Sequence, residues 1–163
     1  AFGAGSSDLI NSTEGTLYLD IAVLDDDGTS RRISLSDGSI ANRITLEVDE
    51  AANTLKFFYD QFLVANGITL TNFNKIACKY KANDYALWVN GSEVATLTTN
   101  SNVPSGLDRL NFDKGDGTLP FYGKTKCVAV FKEALSNDEL ECLTGEGYDS
   151  FNALALANNY TII

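Results

Sequence analysis

The sequence contains no histidine, and this absence excludes several kinds of catalytic and metal site. Without an imidazole, neither a Ser-His-Asp nor a Cys-His nucleophile can be assembled, and no histidine can bind a metal ion. Cysteine is scarce as well: Cys78, Cys127 and Cys142 are too few, and odd in number, for a disulfide framework. We therefore expect three free thiols, as in a protein made in a reducing compartment.

Basic residues are also few, with 12 Lys and Arg against 22 Asp and Glu and a net charge of −10. Binding to nucleic acid or to an anionic membrane needs a basic patch, which this balance argues against. No apolar run reaches the length needed to span a bilayer. We expect neither a nucleic-acid partner nor membrane insertion.

Proline is limited to Pro104 and Pro120, and no long helical periodicity occurs before Ser136. Short segments of alternating polarity recur instead, separated by turn residues, which is the pattern of an all-β protein. The sequence predicts a two-sheet antiparallel jelly-roll sandwich with a short helix near its C-terminal side. We expect a single domain over residues 1–163, with 1–13 as a lead-in and 146–163 as a C-terminal extension. The predicted strands include 16–24, 31–35, 43–48, 55–59 and 75–80, and Phe57, Phe58, Phe62, Leu63 and Val64 are expected to build much of the core.

The dipeptide Asn90-Gly91 predicts a hairpin with a two-residue type I′ turn. This register pairs Trp88 with Glu93 on one face and Leu87 with Val94 on the other. If Leu87 and Val94 face the core, Trp88 lies exposed, and a sugar ring could stack on it while Glu93 accepts hydroxyl hydrogen bonds. The alternative is a Trp88 buried under a neighbouring loop or strand.

Residues 120–145 read as one strand followed by one short helix. The strand, 125–131, is apolar on both sides, which predicts a central strand covered on both faces. Ser136 is the expected N-cap, with Glu139 completing a capping box and Leu135 and Leu140 forming a hydrophobic staple. Gly145 is expected to end the helix in the left-handed conformation.

The order of residues in this stretch resembles the last strand and helix of laminin-G-like, concanavalin A-type jelly rolls. The segment 86–95 is similar to the family's hairpin, written as strand, Asp/Asn-Gly, strand. Both resemblances imply the jelly-roll fold. The matching residues are Gly123, Val128, Val130, Phe131, Ala134, Leu135, Ser136, Glu139, Leu140 and Leu143.

Residues 107–112 and 151–154 are similar to versions of this module in bacteriophage structural and tail-fibre proteins. The resemblance implies a non-catalytic carbohydrate-binding or adhesion module. This module would belong to a virion assembled in the host cytoplasm or, alternatively, would be extracellular. Its partners would be a cell-surface glycan and other virion proteins. The apolar end at 160–163 favours a homo-oligomer. The alternatives are a purely structural virion protein and, third, a polysaccharide hydrolase or lyase.

Two acidic loops complete the candidate site residues. Asn111, Asp113 and Asp116 lie in or beside a glycine-rich loop whose glycines are typical of turn geometry, and the functional alternative is that the loop supplies polar groups to a sugar or a calcium ion. Calcium could also bind at three consecutive aspartates before Gly28, where turn chemistry is again sufficient. These three aspartates are Asp25, Asp26 and Asp27.

Glu47 and Asp49 share one face of their strand, which invites comparison with the Glu-x-Asp-x-Glu carboxylates of laminarinase-type glucanases on this fold. Ala51 stands where the third carboxylate is required, so the acid and nucleophile of a retaining mechanism are not complete. We interpret Glu47 and Asp49 as part of a solvated strand face and expect no enzymatic activity.

Overall fold

A computed structural model describes residues 6–146 as two five-stranded sheets packed face to face, and every neighbouring pair of strands is antiparallel. The first sheet has the order β10-β1-β6-β7-β8 and the second the order β5-β4-β3-β2-β9. This is the jelly-roll sandwich that the sequence predicts. The strands are β1 (Glu14–Val23), β2 (Arg31–Ser36), β3 (Arg43–Val48), β4 (Thr54–Tyr59), β5 (Gln61–Asn66), β6 (Asn74–Lys81), β7 (Tyr85–Val89), β8 (Ser92–Leu97), β9 (Arg109–Asn111) and β10 (Gly123–Phe131), with a 3₁₀ turn at Ser6–Leu9 and the helix α1 (Asn137–Thr144).

The main core lies between the sheets and follows from the alternation of the strands. In β3, for example, Ile44, Leu46 and Val48 point inward and are almost completely buried, as predicted. The end of the lead-in is also fixed, because Ile10 joins this core and the hydroxyl of Tyr80 donates to the carbonyl of Asn11 at 2.7 Å. The C-terminal extension expected over 146–163 lies, beyond Glu146, outside the described residues.

The helix α1 begins as predicted. The amide of Glu139 donates to Ser136 Oγ, and the amide of Ser136 donates to Glu139 Oε2 at 2.8 Å, which completes the capping box. The left-handed ending expected at Gly145 is wrong, because its φ of −75° and ψ of 175° are extended. Lys75 Nζ donates to the carbonyl of Gly145 at 2.7 Å, and a Cβ on Gly91 would lie 3.3 Å from the Gly145 Cα. The chain thus leaves the helix in an extended conformation, with Gly145 in contact with Lys75 and close to Gly91.

Trp88 is buried under α1, so its predicted exposure is wrong. It lies on the outer face of the first sheet with only 6% of its surface accessible. The outer face is apolar here because it forms a second, smaller core with the helix. This core contains Tyr18, Ala77, Ala86, Trp88, Leu135, Leu140 and Leu143.

The hairpin has the predicted turn but only part of the predicted register. Asn90 and Gly91 both have positive φ, at 50° and 83°, as a type I′ turn requires. Trp88 pairs with Glu93 as expected, but an irregularity between Leu87 and Trp88 then shifts the register, so that Leu87 pairs with Ala95. Val94 is therefore 37% exposed instead of facing the core.

The strand β10 lies at the edge of the first sheet, which corrects the central position predicted for it. Its two faces are nevertheless both apolar for a physical reason. Val128 and Val130 pack on the main core, whereas Ala129 and Phe131 pack on the smaller core under α1. Residues covered on both faces mimic a central strand in sequence, although within residues 6–146 only β1 pairs with β10.

Replacing Trp88 with alanine should therefore destabilise the domain, in contrast to the effect of changing its exposed partner. We expect Trp88→Ala to lower the free energy of unfolding by about 3–5 kcal/mol, because it removes the largest side chain of the smaller core. Glu93→Ala, on the facing strand, should change it by less than about 0.5 kcal/mol. Urea unfolding of both variants measures these free energies, with far-UV circular dichroism as the signal because it does not depend on the tryptophan. Equal stability of the two variants would contradict the burial of Trp88.

The capping box gives a second stability prediction. Ser136→Ala removes the acceptor for the Glu139 amide, and we expect a loss of about 1 kcal/mol. Ser136→Thr should retain most of the wild-type stability because its hydroxyl accepts from the Glu139 amide and can still donate to the Glu139 carboxylate. Thermal unfolding of both variants checks this, and an equal loss in each would show that the cap is not the cause.

Candidate functional site

The outer face of the second sheet carries an ordered array of polar and aromatic side chains. Strand register places the outward residues in rows that cross the sheet. One row runs from polar to aromatic through Asn111, Ser34, Thr45, Phe58 and Phe62, each paired with the next across neighbouring strands. The row on one side contains the charged residues Arg32, Glu47 and Lys56. The row on the other side contains Arg43.

The aromatic end of this face is exposed. The rings of Phe58 and Phe62 are 4.8 Å apart at a tilt of 41°, and Phe62 is 55% accessible. The prediction that Phe58, Phe62 and Val64 build the core is wrong, because alternation assigns Phe57 and Leu63 to the core and sends the other three outward. Phe62 is exposed and Phe58 beside it is half-buried, and an exposed aromatic ring is a surface on which an apolar ligand face can stack.

Glu47 and Asp49 are buried in ion pairs, which corrects their predicted place on a solvated face. Glu47 accepts from Arg32 at 2.9 Å and from Ser30 Oγ at 2.7 Å, and Asp49 pairs with Lys56. Burial opposes the charged form of Asp49, but hydrogen bonds from Lys56 and from the Ala51 amide outweigh it and lower its pKa. Both carboxylates are thus occupied as ion-pair partners.

Arg43 differs from the other three arginines of the chain. Arg31, Arg32 and Arg109 each pair with a carboxylate, whereas Arg43 forms no ion pair within residues 6–146. Its guanidinium lies 5.4 Å from the centre of the Phe58 ring and donates to the carbonyl of Ile40. Burial and the neighbouring positive charge of Arg32 both lower the pKa of Arg43, while Asp116 and Glu47 act in the opposite direction.

Three buried polar atoms around Arg43 have no hydrogen-bond partner in the described part of the chain. They are Nε of Arg32, Nε of Arg43 and Oγ1 of Thr45. Leaving such donors unpaired is costly, and native structures leave few of them without a reason. Two neighbouring guanidinium groups beside a hydroxyl suit a planar anion such as a carboxylate.

A cleft of ≈ 240 Å³ adjoins this face. Arg43 and Phe58 belong both to the sheet face and to the wall of the cleft. The remaining walls come from the last residue of β4 and from turns and loops at the same end of the sheet. They are formed by Ile40, Ala41, Tyr59, Asp60 and Asn102.

The structure separates the two halves of the site predicted from the sequence. Trp88 and Glu93 belong to the first sheet, with Trp88 packed beneath α1, whereas Asn111 ends β9 in the second sheet and the loop after it carries Asp113 and Asp116. Trp88 therefore cannot form one site with the loop residues. Asn111 lies in the central row of the outer face, which makes it the one predicted residue within the arrayed surface.

The two loop aspartates make hydrogen bonds typical of turns. Asp113 Oδ1 accepts from the amides of Gly115 and Gly117, at 2.6 and 3.2 Å, and Asp116 Oδ1 accepts from the Thr118 hydroxyl at 2.6 Å. The Asp113 carbonyl also accepts from Ser34 Oγ at 2.9 Å, so this loop lies against the sheet. Their predicted role in ligand binding stays a prediction, at the rim of the face.

The three consecutive aspartates predicted to bind calcium are partly occupied by protein donors. Asp27 accepts from Arg31 at 2.8 Å, a contact that contributes most to lowering the Asp27 pKa to about 2, and Asp26 accepts from the Asn53 amide at 2.7 Å. Asp25 offers its backbone carbonyl to Arg31. Within residues 6–146, no three His, Cys, Asp or Glu side chains are grouped as metal ligands. Calcium binding stays a prediction.

The three cysteines are free, as expected. Burial raises the pKa of the Cys78 thiol well above its usual range, so this thiol is an inert part of the core. Helices long and apolar enough to cross a membrane are absent from residues 6–146.

Sequence comparison finds no matching family model and no matching curated protein. Solved structures do match. A carbohydrate-binding module (CBM40) of the Ruminococcus gnavus IT-sialidase superposes with a TM-score of 0.66 at 19% identity, covering 87% of this chain and 88% of that one. Domain 4 of the arabinanase AbnA from Geobacillus stearothermophilus gives 0.64 at 14% identity, covering 83% and 68%.

A more distant similarity extends to domains LG4-5 of the mouse laminin α1 chain, with a TM-score of 0.54 at 14% identity, covering 78% of this chain and 38% of that one. At these identities the similarity establishes the architecture. The laminin domains agree with the resemblance read from residues 120–145 and 86–95. The chain has the jelly-roll fold shared by concanavalin A-like and laminin-G-like domains.

Proposed function

We propose that this domain is a non-catalytic carbohydrate-binding module that binds an acidic glycan on the outer face of its second sheet. The observation that carries the proposal is the placement of Arg43, an arginine without a carboxylate partner among residues 6–146, beside the half-buried Phe58 and the exposed Phe62. One surface thus combines an anion-binding group with an aromatic stacking platform.

The chemistry of this face suits an acidic sugar. The guanidinium groups of Arg43 and Arg32 are close enough for their charges to interact, and together they can donate to a sugar carboxylate. The apolar face of a sugar ring can stack on Phe62, which is more exposed than Phe58. A few directed polar groups beside an apolar platform are the usual composition of small-ligand sites.

The structural neighbours support a glycan ligand by shared architecture. The Ruminococcus gnavus module was solved bound to α2,3- and α2,6-sialyllactose, both of which carry an acidic sugar, and the arabinanase domain was solved with arabinotriose. These ligands differ in charge, so the neighbours alone do not select one class. The positive Arg43 on this face favours the acidic class.

A glycan array tests the proposal directly. We expect the wild-type domain to bind glycans that contain sialic or uronic acid in preference to neutral ones. Arg43→Ala should weaken binding by roughly 10- to 100-fold, the scale of losing a charged hydrogen bond, and Phe62→Ala by roughly 3- to 10-fold. Calorimetry with the best array ligand measures both effects.

Two matched controls accompany these variants. Lys126→Ala removes a positive charge and Phe73→Ala removes an exposed aromatic ring; the Lys126 ammonium lies 4.0 Å from the centre of that ring, and Lys126 belongs to β10 of the first sheet. Neither should alter affinity by more than about twofold, because surface changes far from a site have small effects. An array without acidic hits, or Arg43→Ala bound as tightly as wild type, would refute the proposal.

The absence of hydrolysis is a separate expectation. Glu47 is held by Arg32 and Ser30, and Asp49 by Lys56, so neither is positioned as a free acid or nucleophile. We expect no release of reducing sugar from β-glucans or from acidic polysaccharides over hours at micromolar protein concentration. Release that disappears in Glu47→Gln would show that the domain is an enzyme.

The finer setting rests on the sequence. Display on a phage virion, virion proteins as partners and self-association are supported by the similarity at residues 107–112 and 151–154 and by the apolar end at 160–163. A structural role through protein partners is the alternative. It would gain support if the glycan array gave no signal while virion proteins co-purified with the domain.

A further inference from the structure

We infer that the cleft beside Arg43 is a second sugar subsite that takes a neutral sugar, so that the ligand is an oligosaccharide of at least two units. This inference rests on the proposed function. The acidic sugar would lie on the sheet face and the adjoining neutral sugar in the cleft. The glycan would therefore run from the sheet face towards the cleft.

The position of the cleft makes the two subsites continuous. Arg43 begins β3 and Phe58 lies near the end of β4, and both side chains contribute to the sheet face and to the cleft. A carboxylate held by the guanidinium of Arg43 would place its sugar ring directly at the cleft entrance. The next sugar along the chain then has a bounded space to occupy.

One wall of the cleft is fixed by hydrogen bonds that do not depend on a ligand. Asn102 donates from Nδ2 to Asp60 Oδ2 at 2.8 Å, its amide donates to Asn100 Oδ1 at 3.0 Å, and its carbonyl accepts from the Tyr85 hydroxyl at 2.6 Å. Tyr59, another wall residue, stacks on Tyr85 with ring centres 5.8 Å apart. This wall is therefore preorganised, which lowers the entropic cost of binding.

Asp60 is held at the tip of a very tight connection. It lies between Tyr59 and Gln61, which pair directly across β4 and β5, and its φ is +62°. A residue other than glycine adopts this conformation at a cost, although aspartate tolerates it better than most. The sequence thus places a carboxylate at a position where glycine would fit the backbone more easily.

The lining residues match a neutral sugar. Ile40, which is 50% exposed, and Phe58 supply apolar contact, while the carboxylate of Asp60 and the amide of Asn102 can accept from and donate to hydroxyl groups. The negative charge of Asp60 would repel a second acidic sugar. The volume of ≈ 240 Å³ is below the range of roughly 300–1,000 Å³ for drug-sized ligands, which fits one ring.

Calorimetry with two probes tests the inference. The probes are N-acetylneuraminic acid, which can fill only the sheet-face subsite, and 3′-sialyllactose, which adds neutral sugars. We expect wild-type protein to bind the trisaccharide about tenfold more tightly than the monosaccharide, the scale of one charged hydrogen bond. Asp60→Gly, which suits the positive φ, should remove this difference and leave the affinity for the monosaccharide within about twofold.

A matched variant controls for the backbone change. Asn53→Gly makes the same type of replacement at a φ of +57° in the connection between β3 and β4, away from the cleft lining. It should leave both affinities unchanged. Asn102→Ala provides a second cleft variant and should also selectively weaken trisaccharide binding, and thermal unfolding confirms that each variant is folded.

The outcomes separate this inference from the proposed function. Equal affinity of the wild type for both probes, or equal weakening of both by Asp60→Gly, would overturn the second subsite while leaving acidic-sugar binding in place. Binding of neither probe would overturn the second subsite together with the assignment of a sialylated ligand. Weakened trisaccharide binding in Asn53→Gly would also count against a specific role for Asp60.

Discussion

The strict alternation of side chains along each strand is the constraint on which the structure depends. Every strand that sends one residue into the shared core sends its neighbour to an outer face, so packing the two sheets together also creates two outer faces. The two outer faces differ in whether another element of the chain covers them, and this difference determines which of them can bind a ligand.

The outer face of the first sheet is closed by the helix that follows β10. Leu140 and Leu143 of α1 pack over Trp88 and Tyr18, and the capping box at Ser136 fixes where the helix begins. The outer face of the second sheet has no such helix within residues 6–146, and it carries ion pairs and exposed rings instead. The same fold thus offers one face for stability and one for recognition.

Much of the fold could be predicted because its signals are local. The alternation in β3, the dipeptide Asn90-Gly91 and the capping box at Ser136 each need only a few neighbouring residues to be recognised, and each was confirmed. Trp88 could not be placed correctly in the same way. Its exposure depends on where α1 packs, which is a contact between residues about fifty positions apart.

The site was harder to predict for related reasons. The irregularity beside Trp88 moved Val94 outward, and no local residue marks it. The outward position of Phe58 and Phe62 could have been predicted, because side chains alternate along β4 and β5 on either side of a one-residue connection. The many apolar residues in these two strands favour a core interpretation instead. The isolation of Arg43 cannot be read from the sequence, because it depends on which carboxylates the other arginines meet.

The bond from the Tyr85 hydroxyl to the Asn102 carbonyl has a consequence for how such a domain can change over evolution. Tyr85 belongs to the core between the sheets, yet it anchors a wall of the cleft. Residues on the sheet face, such as Phe62, can be exchanged without disturbing any buried contact between the sheets. The cleft is instead inherited together with the core, so its shape should diverge more slowly among descendants than the exposed platform beside it.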